Sequence, residues 1–481
     1  MTTGLGLDPH PILVAGRWAT SPTILAVDQP ARVGEPAGYT YLASPELYEE
    51  AVAGAVAAFE VTRRMPSYER GNILRSISEG VTSRRAEIAE SISREAGKTI
   101  RDARTEVDRA SLVFRLAAEE AERIAGEVIP LDLMPTSKGR IGITRRFPVG
   151  PVAAISPFNF PLNLAAHKLA PAIAAGCSVV LKLPSKDPLA MLIVAEIVQA
   201  AGLPAGAVSI MTIGRELADG LVTDERFKIL TFTGSTAVGW DMKARAGKKR
   251  LLLELGGNNG VIVDSTADLD WAVKRITFGS FANAGQVCIS VQRTFVHEDV
   301  WAPFIERFVT SARTLKMGDP LDESTDLGPM IDARAAERAQ AWVHEAEAAG
   351  AHVLTGGSAH GTYFEPTILT DVPPASRVCS QEIFAPVVVV ERYREFDEAV
   401  RLVNSTPYGL QAGVFTNDLG HAWQAFGDLE VGGVIVNDVP TFRADTMPYG
   451  GTKDSGQGRE GVRYSIEEMT EIKLFVLAQP S

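Results

Sequence analysis

Residues 151–183 read PVAAISPFNFPLNLAAHKLAPAIAAGCSVVLKL. A short apolar run, Val152 to Ile155, is followed by a helical stretch, Leu164 to Ala175, and then by a second apolar run, Ser178 to Leu181. Uninterrupted apolar runs this short fit strands covered on both faces. The same alternation continues downstream. Val208 to Met211 and Ile229 to Phe232 read as further buried strands, with Leu189 to Ala201 and Ala237 to Ala246 as the helices between. Strand–helix alternation predicts an α/β fold built on a parallel, doubly wound sheet.

Upstream of this stretch, Glu49 to Phe59 and Tyr68 to Gly97 carry apolar residues at helical intervals, with Gly97 and Gly126 placed as helix ends. Arg140 to Phe147 alternates like an exposed strand. A second α/β stretch runs from about Gly257 to Asn437. Its strands are expected at Gly260 to Val263, Arg293 to His297, Val387 to Arg392, Gly413 to Phe415 and Gly433 to Val436, with a long helix over Ala333 to Ala349. Thr441 to Gly461 reads as a polar, glycine-rich loop, and Glu471 to Leu477 as an edge strand. Gly456-Gln457-Gly458-Arg459-Glu460-Gly461 matches Gly-x-Gly-x-x-Gly, but no strand precedes it and no acidic residue follows at the required distance. It reads as a flexible loop rather than a phosphate cradle.

The 481 residues suggest roughly three domains. With 46% hydrophobic and 22% charged residues the chain can bury a large core. The net charge of −12 argues against nucleic acid as a partner. Three cysteines make no disulfide framework, and no apolar stretch is long enough to span a bilayer. Met1 to Asp8 lacks the pattern of a leader, so a reducing, cytoplasmic location is expected. No metal site is expected, since neither His-Glu-x-x-His nor Cys-x-x-Cys occurs.

Three residues stand out as able to carry chemistry. Cys288 lies among small residues in Asn283-Ala284-Gly285-Gln286-Val287-Cys288, which leaves room for a substrate at sulfur; an inert core thiol is the alternative. Cys177 fits a core position better, and Cys379 fits either. Glu254 sits inside the apolar run Leu251 to Leu255, where burial raises a carboxyl pKa and suits it to proton abstraction; a backbone-bonded structural Glu is the alternative. Asn159 lies between Pro157 and Pro161, which would hold its amide rigidly as a donor or simply make a turn.

Asn159-Phe160-Pro161, Phe232-Thr233-Gly234-Ser235, Glu254-Leu255-Gly256-Gly257, Gly285-Gln286-Val287-Cys288 and Glu382-Ile383-Phe384-Ala385-Pro386 resemble the signature segments of the aldehyde dehydrogenase superfamily, in its order and at similar spacing. The resemblance runs from about Gly16 to Leu477, with a lean to the lactaldehyde and semialdehyde branches. It implies a Rossmann-like cofactor domain (1–125 and 147–256), a second α/β catalytic domain (257–437) and a small β oligomerisation element (126–146 and 458–481). It implies Cys288 as nucleophile, Asn159 with the Cys288 backbone N–H as oxyanion hole, and Glu254 as the base that hydrolyses the thioester.

For NAD or NADP the resemblance implies Lys182, Ser235, Glu382 and Phe384. Ser185 stands where NAD-preferring members often carry Glu, and Lys186 follows it; this departure favours acceptance of NADP. Arg109 and Arg443 are the candidates to bind a small polar or anionic aldehyde, with a salt-bridged arginine, paired to Glu106, as the alternative for Arg109. The expected assembly is a homodimer or homotetramer, because Arg140 to Phe147 and Glu471 to Leu477 would be open sheet edges in a monomer. A catalytically silent scaffold and a coenzyme A-acylating enzyme are the competing readings; the presence of Glu254 favours the free acid.

Overall fold

The structure, a computed structural model, describes residues 8–478. The first seven residues, on which the absence of a leader is read, and residues 479–481 of the expected segment 458–481 lie outside the described residues. No helix among the described residues is long and apolar enough to cross a membrane.

The quoted stretch forms the centre of an eight-stranded sheet. Val152–Ile155 pairs in parallel with Val179–Leu183 on one side and Ile229–Thr233 on the other. From Val179–Leu183 the sheet continues to Val208–Thr212; from Ile229–Thr233 it continues to Arg250–Glu254. The chain thus adds strands first on one side of Val152–Ile155 and then on the other. In such sheets a crevice opens at the carboxyl ends of the strands where the order reverses. The strands expected from the apolar runs are all present, because each run is buried on both faces.

The helices Ser67–Ser83, Ile100–Ala121 and Asn163–Ala175 pack on one another, and their apolar faces merge with the sheet in one core. Cys177 is 2% exposed inside this core, and burial pushes its thiol up to about 11, as fits a structural cysteine. The span Tyr68 to Gly97 is two helices, Ser67–Ser83 and Arg85–Ala96, separated at Arg84. Gly97 ends the second with φ +71. Gly126 does not end a helix. The preceding helix stops at Ala121, and a Cβ at position 126 would lie 1.9 Å from the Thr144 carbonyl oxygen, so glycine permits contact with the next strand.

The second sheet has seven strands, with Asn259–Val263 between Val291–His297 and Gln411–Phe415 and with Val387–Tyr393 beyond. Gly433–Val436 forms one edge; Thr367–Thr370 and His352–Thr355, which the sequence pattern did not reveal, complete the other. The helix Ala333–Ala348 covers part of its core.

Three further expectations change. Arg140–Pro148 is not an edge: it lies between Thr470–Ala478 and Val128–Pro130 in a three-stranded sheet. The segment 458–481 also holds a helix, Val462–Glu468, that packs on Asn163–Ala175. The glycine-rich segment is not a flexible loop. Gly456–Gln457 adds antiparallel to Arg250–Glu254, with Gly456 opposite Glu254, which ties the segment to the sheet edge.

Candidate active site

The carboxyl ends of the first sheet face the loops that lead into the second. Between them lies a crevice of about 590 Å³ lined by Ser156, Asn159, Lys182, Ser235, Glu254, Cys288, Glu382 and Phe384, among others. The first five of these follow from strand ends or turns of the quoted stretch and its continuation; Cys288 lies just before Val291–His297, and Glu382 and Phe384 just before Val387–Tyr393. The crevice therefore assembles residues more than 200 positions apart.

The turn before Cys288 is tightly wound. Asn283, Ala284 and Gly285 all have positive φ, at +49, +53 and +68. Such backbone persists only where its surroundings hold it. Here the Asn159 amide donates to the Gln286 carbonyl oxygen at 3.0 Å, and the Asn283 amide donates to the Asn159 carbonyl oxygen at 3.2 Å. Asn259 donates to the Cys288 carbonyl oxygen at 2.8 Å. Asn159 and the cysteine loop are thus locked to each other, and Asn159 keeps one N–H free of this bond.

Cys288 Sγ lies 2.9 Å from the Tyr449 hydroxyl. Burial pushes the Cys288 thiol up to about 11, against the lowering effect of the Tyr449 hydrogen bond and the Arg443 charge. Burial also keeps the Tyr449 phenol well above its ordinary value, so it retains the O–H that can donate to a thiolate. The Arg443 guanidinium sits 3.7 Å from the Tyr449 ring centroid.

Glu254 is 3% exposed, and neither carboxyl oxygen has a hydrogen-bond partner. Burial, and then the negative charge of Glu460, hold its pKa well above the usual carboxylate range. Gly450 makes room for it: a Cβ there would lie 2.8 Å from Glu254 Oε1, and φ +152 suits glycine alone.

Behind Tyr449 lies a set of ion pairs. Glu460 pairs with Lys168 at 3.1 Å and with Arg443 at 3.2 Å. Asp445 takes both arms of Arg109, at 2.7 and 3.1 Å, and His167 Nε2 at 2.9 Å. Arg109 therefore pairs with Asp445; Glu106 instead pairs with the buried Lys98 and accepts from the backbone N–H groups of Leu162 and Asn163. Neither Arg109 nor Arg443 lines the crevice.

The crevice fits a dinucleotide. The helix Thr236–Arg245 opens at Ser235 with no side-chain cap, so its first N–H groups are free for an anion. Lys182 is half-buried at the rim, its ammonium bonded only to the Leu183 carbonyl oxygen, and burial lowers its pKa. Glu382 accepts from the Gly257 N–H at 3.1 Å, and burial raises it to about 7. A Cβ at Gly256 would lie 2.3 Å from Glu382 Oε2, so glycine lets the carboxylate reach across the crevice. Phe384, at φ +51, packs edge-on against Phe158. Ser185 and Lys186 are exposed and do not line the crevice; Lys186 lies 3.3 Å from Asp332 and 3.9 Å from Asp28.

Sequence reasoning did not single out Tyr449, Lys168, Glu460 or Asp445. A polar residue within the apolar helix Asn163–Ala175 was the available signal for Lys168; the other three lie in a segment whose composition suggests only a loop.

Comparison with known proteins agrees with this geometry. The profile of the Aldehyde dehydrogenase family matches residues 18–475. A 3-sulfolactaldehyde dehydrogenase of Priestia aryabhattai is 44% identical over 478 residues, covering 99% of this chain and 100% of that one. The solved structure of aldehyde dehydrogenase 21 from Physcomitrella patens, in complex with the reaction product succinate, superposes with a TM-score of 0.96 at 47% identity, covering 98% of each chain. Glyceraldehyde-3-phosphate dehydrogenase GapN from Methanocaldococcus jannaschii, complexed with NADP, superposes with a TM-score of 0.91 at 41% identity, covering 95% of this chain and 99% of that one. The chain belongs to the aldehyde dehydrogenase family and is an NAD(P)-dependent oxidoreductase acting on the aldehyde group.

Proposed function

We propose that this protein oxidises a small anionic aldehyde to its carboxylic acid through a thioester on Cys288. The observation that carries the reading is the shared crevice of Cys288 Sγ and the unpartnered Glu254 carboxyl. The Cys288 thiolate, held by the Tyr449 O–H, attacks the aldehyde carbon; the oxygen of the resulting thiohemiacetal meets the free Asn159 N–H and the Cys288 backbone N–H. NAD or NADP, when bound, would supply the acceptor for the hydride that this carbon must lose. Glu254, once deprotonated, takes a proton from the water that attacks the thioester, and the acid leaves. Lys182, Ser235, Glu382 and Phe384 would hold the dinucleotide. Ser185 presents no carboxylate to repel the 2′-phosphate of NADP, and Lys186, outside the crevice lining and facing Asp332, would add only a distant positive charge.

Charge supports an anionic substrate. Arg109, Lys168 and Arg443 face two carboxylates, Asp445 and Glu460, while burial disfavours the charged form of Glu254. The surplus cation lies behind Tyr449, next to the nucleophile. Relatives named for sulfolactaldehyde and a succinate complex point to the same substrate class. A screen of neutral and anionic short aldehydes against both cofactors tests this: turnover is expected to favour anionic aldehydes and to proceed with NADP. Equal kcat/KM for neutral and anionic aldehydes of one length overturns the substrate assignment. No NAD(P)H formation despite cofactor binding favours a silent scaffold, and dependence on coenzyme A favours the acylating reading.

The same reading places the cofactor domain at 1–125 and 147–256, the catalytic domain at 257–437 and the assembly strands at 126–146 and 458–481. Thr470–Ala478 leaves one edge open and exposes Ile472, Leu474, Phe475, Val476 and Leu477. A second copy would cover them, in a homodimer or homotetramer in the cytoplasm. Light scattering that returns the monomer mass of 51.5 kDa overturns the assembly.

A further inference from the structure

A second cavity, of about 470 Å³, shares no lining residue with the crevice. It lies where the turn after the helix Pro45–Thr62 meets the strand Arg140–Pro148. Five arginines line it, Arg63, Arg64, Arg70, Arg145 and Arg146, and no Asp or Glu does. That concentration stands out in a chain of net charge −12.

Two of the five have a counterion, and it is a single shared one. Arg63 and Arg64 both reach Glu60, at 3.4 and 3.2 Å. Arg70 bonds only the Met65 carbonyl oxygen and the Ser67 hydroxyl, and Arg146 only the Glu467 carbonyl oxygen and the Thr470 hydroxyl. Arg70 is 9% exposed, and its Nε has no hydrogen-bond partner among the described residues. A buried cation without a counter-charge is costly, and an anion in the cavity would relieve that cost. Guanidinium forks converging from two sides match phosphate oxygens, which accept paired N–H bonds. The volume suits a small molecule rather than a peptide segment.

We infer that this cavity is a binding site for a small phosphate-bearing polyanion, separate from the aldehyde site. Arg70 forms the desolvated floor, and Arg64 and Arg145 close over the anion from the solvent side.

The test is calorimetric titration of the full-length protein with inorganic pyrophosphate and, separately, inorganic phosphate. No dinucleotide is present, since it too carries phosphates; a variant altered only in the arginine cavity leaves the crevice intact and so separates the two sites, and ionic strength is held constant with sodium chloride. Saturable binding is expected, tighter for pyrophosphate. The double variant Arg64→Ala/Arg145→Ala changes only exposed side chains and is expected to weaken binding by about tenfold or more, as loss of charged hydrogen bonds does, with unchanged melting temperature and kcat. Unaltered affinity in the double variant, or heats no greater than those of sodium chloride alone, overturns the inference. If pyrophosphate fails to bind and the double variant loses mass in light scattering, the cavity is a contact between subunits and the inference also falls.

Discussion

Glu254 and Glu460 are both buried acids, 3% and 1% exposed, and they lie close enough for the charge of one to raise the other's pKa. Yet their surroundings treat them oppositely. Glu254 projects from a strand end into the crevice and meets no hydrogen-bond donor. Burial pushes Glu460 up as well, but Lys168 and Arg443 outweigh it and hold that carboxyl below the usual range. Asp445 repeats the second pattern with His167 and Arg109. The contrast shows that depth alone does not set ionisation; the partners at that depth do. One region spends its charges on holding a shape. The other leaves a carboxyl free to move a proton.

The largest expected effect comes from removing the atom both regions serve. Cys288→Ser should lower NAD(P)H formation by about a thousandfold or more while leaving cofactor affinity nearly unchanged. Steady-state absorbance and a cofactor titration check it, and retained turnover would remove the sulfur from the mechanism.

Glu460→Gln should break the paired region. It leaves Lys168 and Arg443 buried without their common carboxylate, a loss of about 3 kcal/mol in denaturant melts. Glu254→Gln has no partner to orphan, so its stability should stay level. Its steady-state rate should instead fall by about a hundredfold, with one rapid burst of NAD(P)H followed by a stalled thioester in rapid-quench experiments. Absence of the burst in the Glu254→Gln enzyme, or a Glu460→Gln enzyme as stable as the parent, would erase the contrast.

Arg443→Leu should raise KM for anionic aldehydes about fivefold, the size of a charge acting across a few ångströms rather than through a contact, and leave neutral aldehydes little changed. Arg109→Leu should follow in the same direction more weakly, because it lies with Asp445 rather than against the Tyr449 ring as Arg443 does. Equal changes for both aldehyde classes would take the arginines out of substrate selection.

The pH dependence separates proton transfer from folding. Deacylation needs ionised Glu254, whose pKa burial raises, so kcat should climb with pH beyond the ordinary carboxylate range, and the climb should vanish in Glu254→Gln. A second unpartnered acid acts on folding and not on turnover. Asp187 is fully buried, both its oxygens lack partners, and burial, then Glu95 and Glu106, raise its pKa well above the usual value. The folded state keeps a proton there that the unfolded chain loses. Stability must therefore fall as pH rises above the unfolded pKa, by about 1.4 kcal/mol per pH unit until the folded group titrates. Asp187→Asn should flatten that slope in melts at pH values above the ordinary carboxylate range.

Much of the architecture was legible in the apolar runs. Val152 to Ile155 and its neighbours are short and largely apolar because strands buried on both faces favour such runs, and the alternation with helices points to a doubly wound sheet. The turn residues Asn159, Ser235 and Glu382 could be picked out by motif. Thr441 to Gly461 could not. Its glycines permit close approach rather than disorder, since Gly450 faces Glu254 and Gly456 pairs with it, and composition does not distinguish those uses. Gly126 misled for the same reason.

By itself the sequence determined the doubly wound sheet, the order of its strands along the chain and the identities of the sulfur, carboxyl and amide that the crevice gathers. Tertiary structure alone decided which acid lies unpaired and which is locked, that Arg109 reaches Asp445 across 336 positions, and that five arginines converge on a cavity lined by no Asp or Glu. Local pattern reports burial through hydrophobic periodicity. Charge pairing depends on distances in space between segments remote in sequence, and no local pattern encodes those.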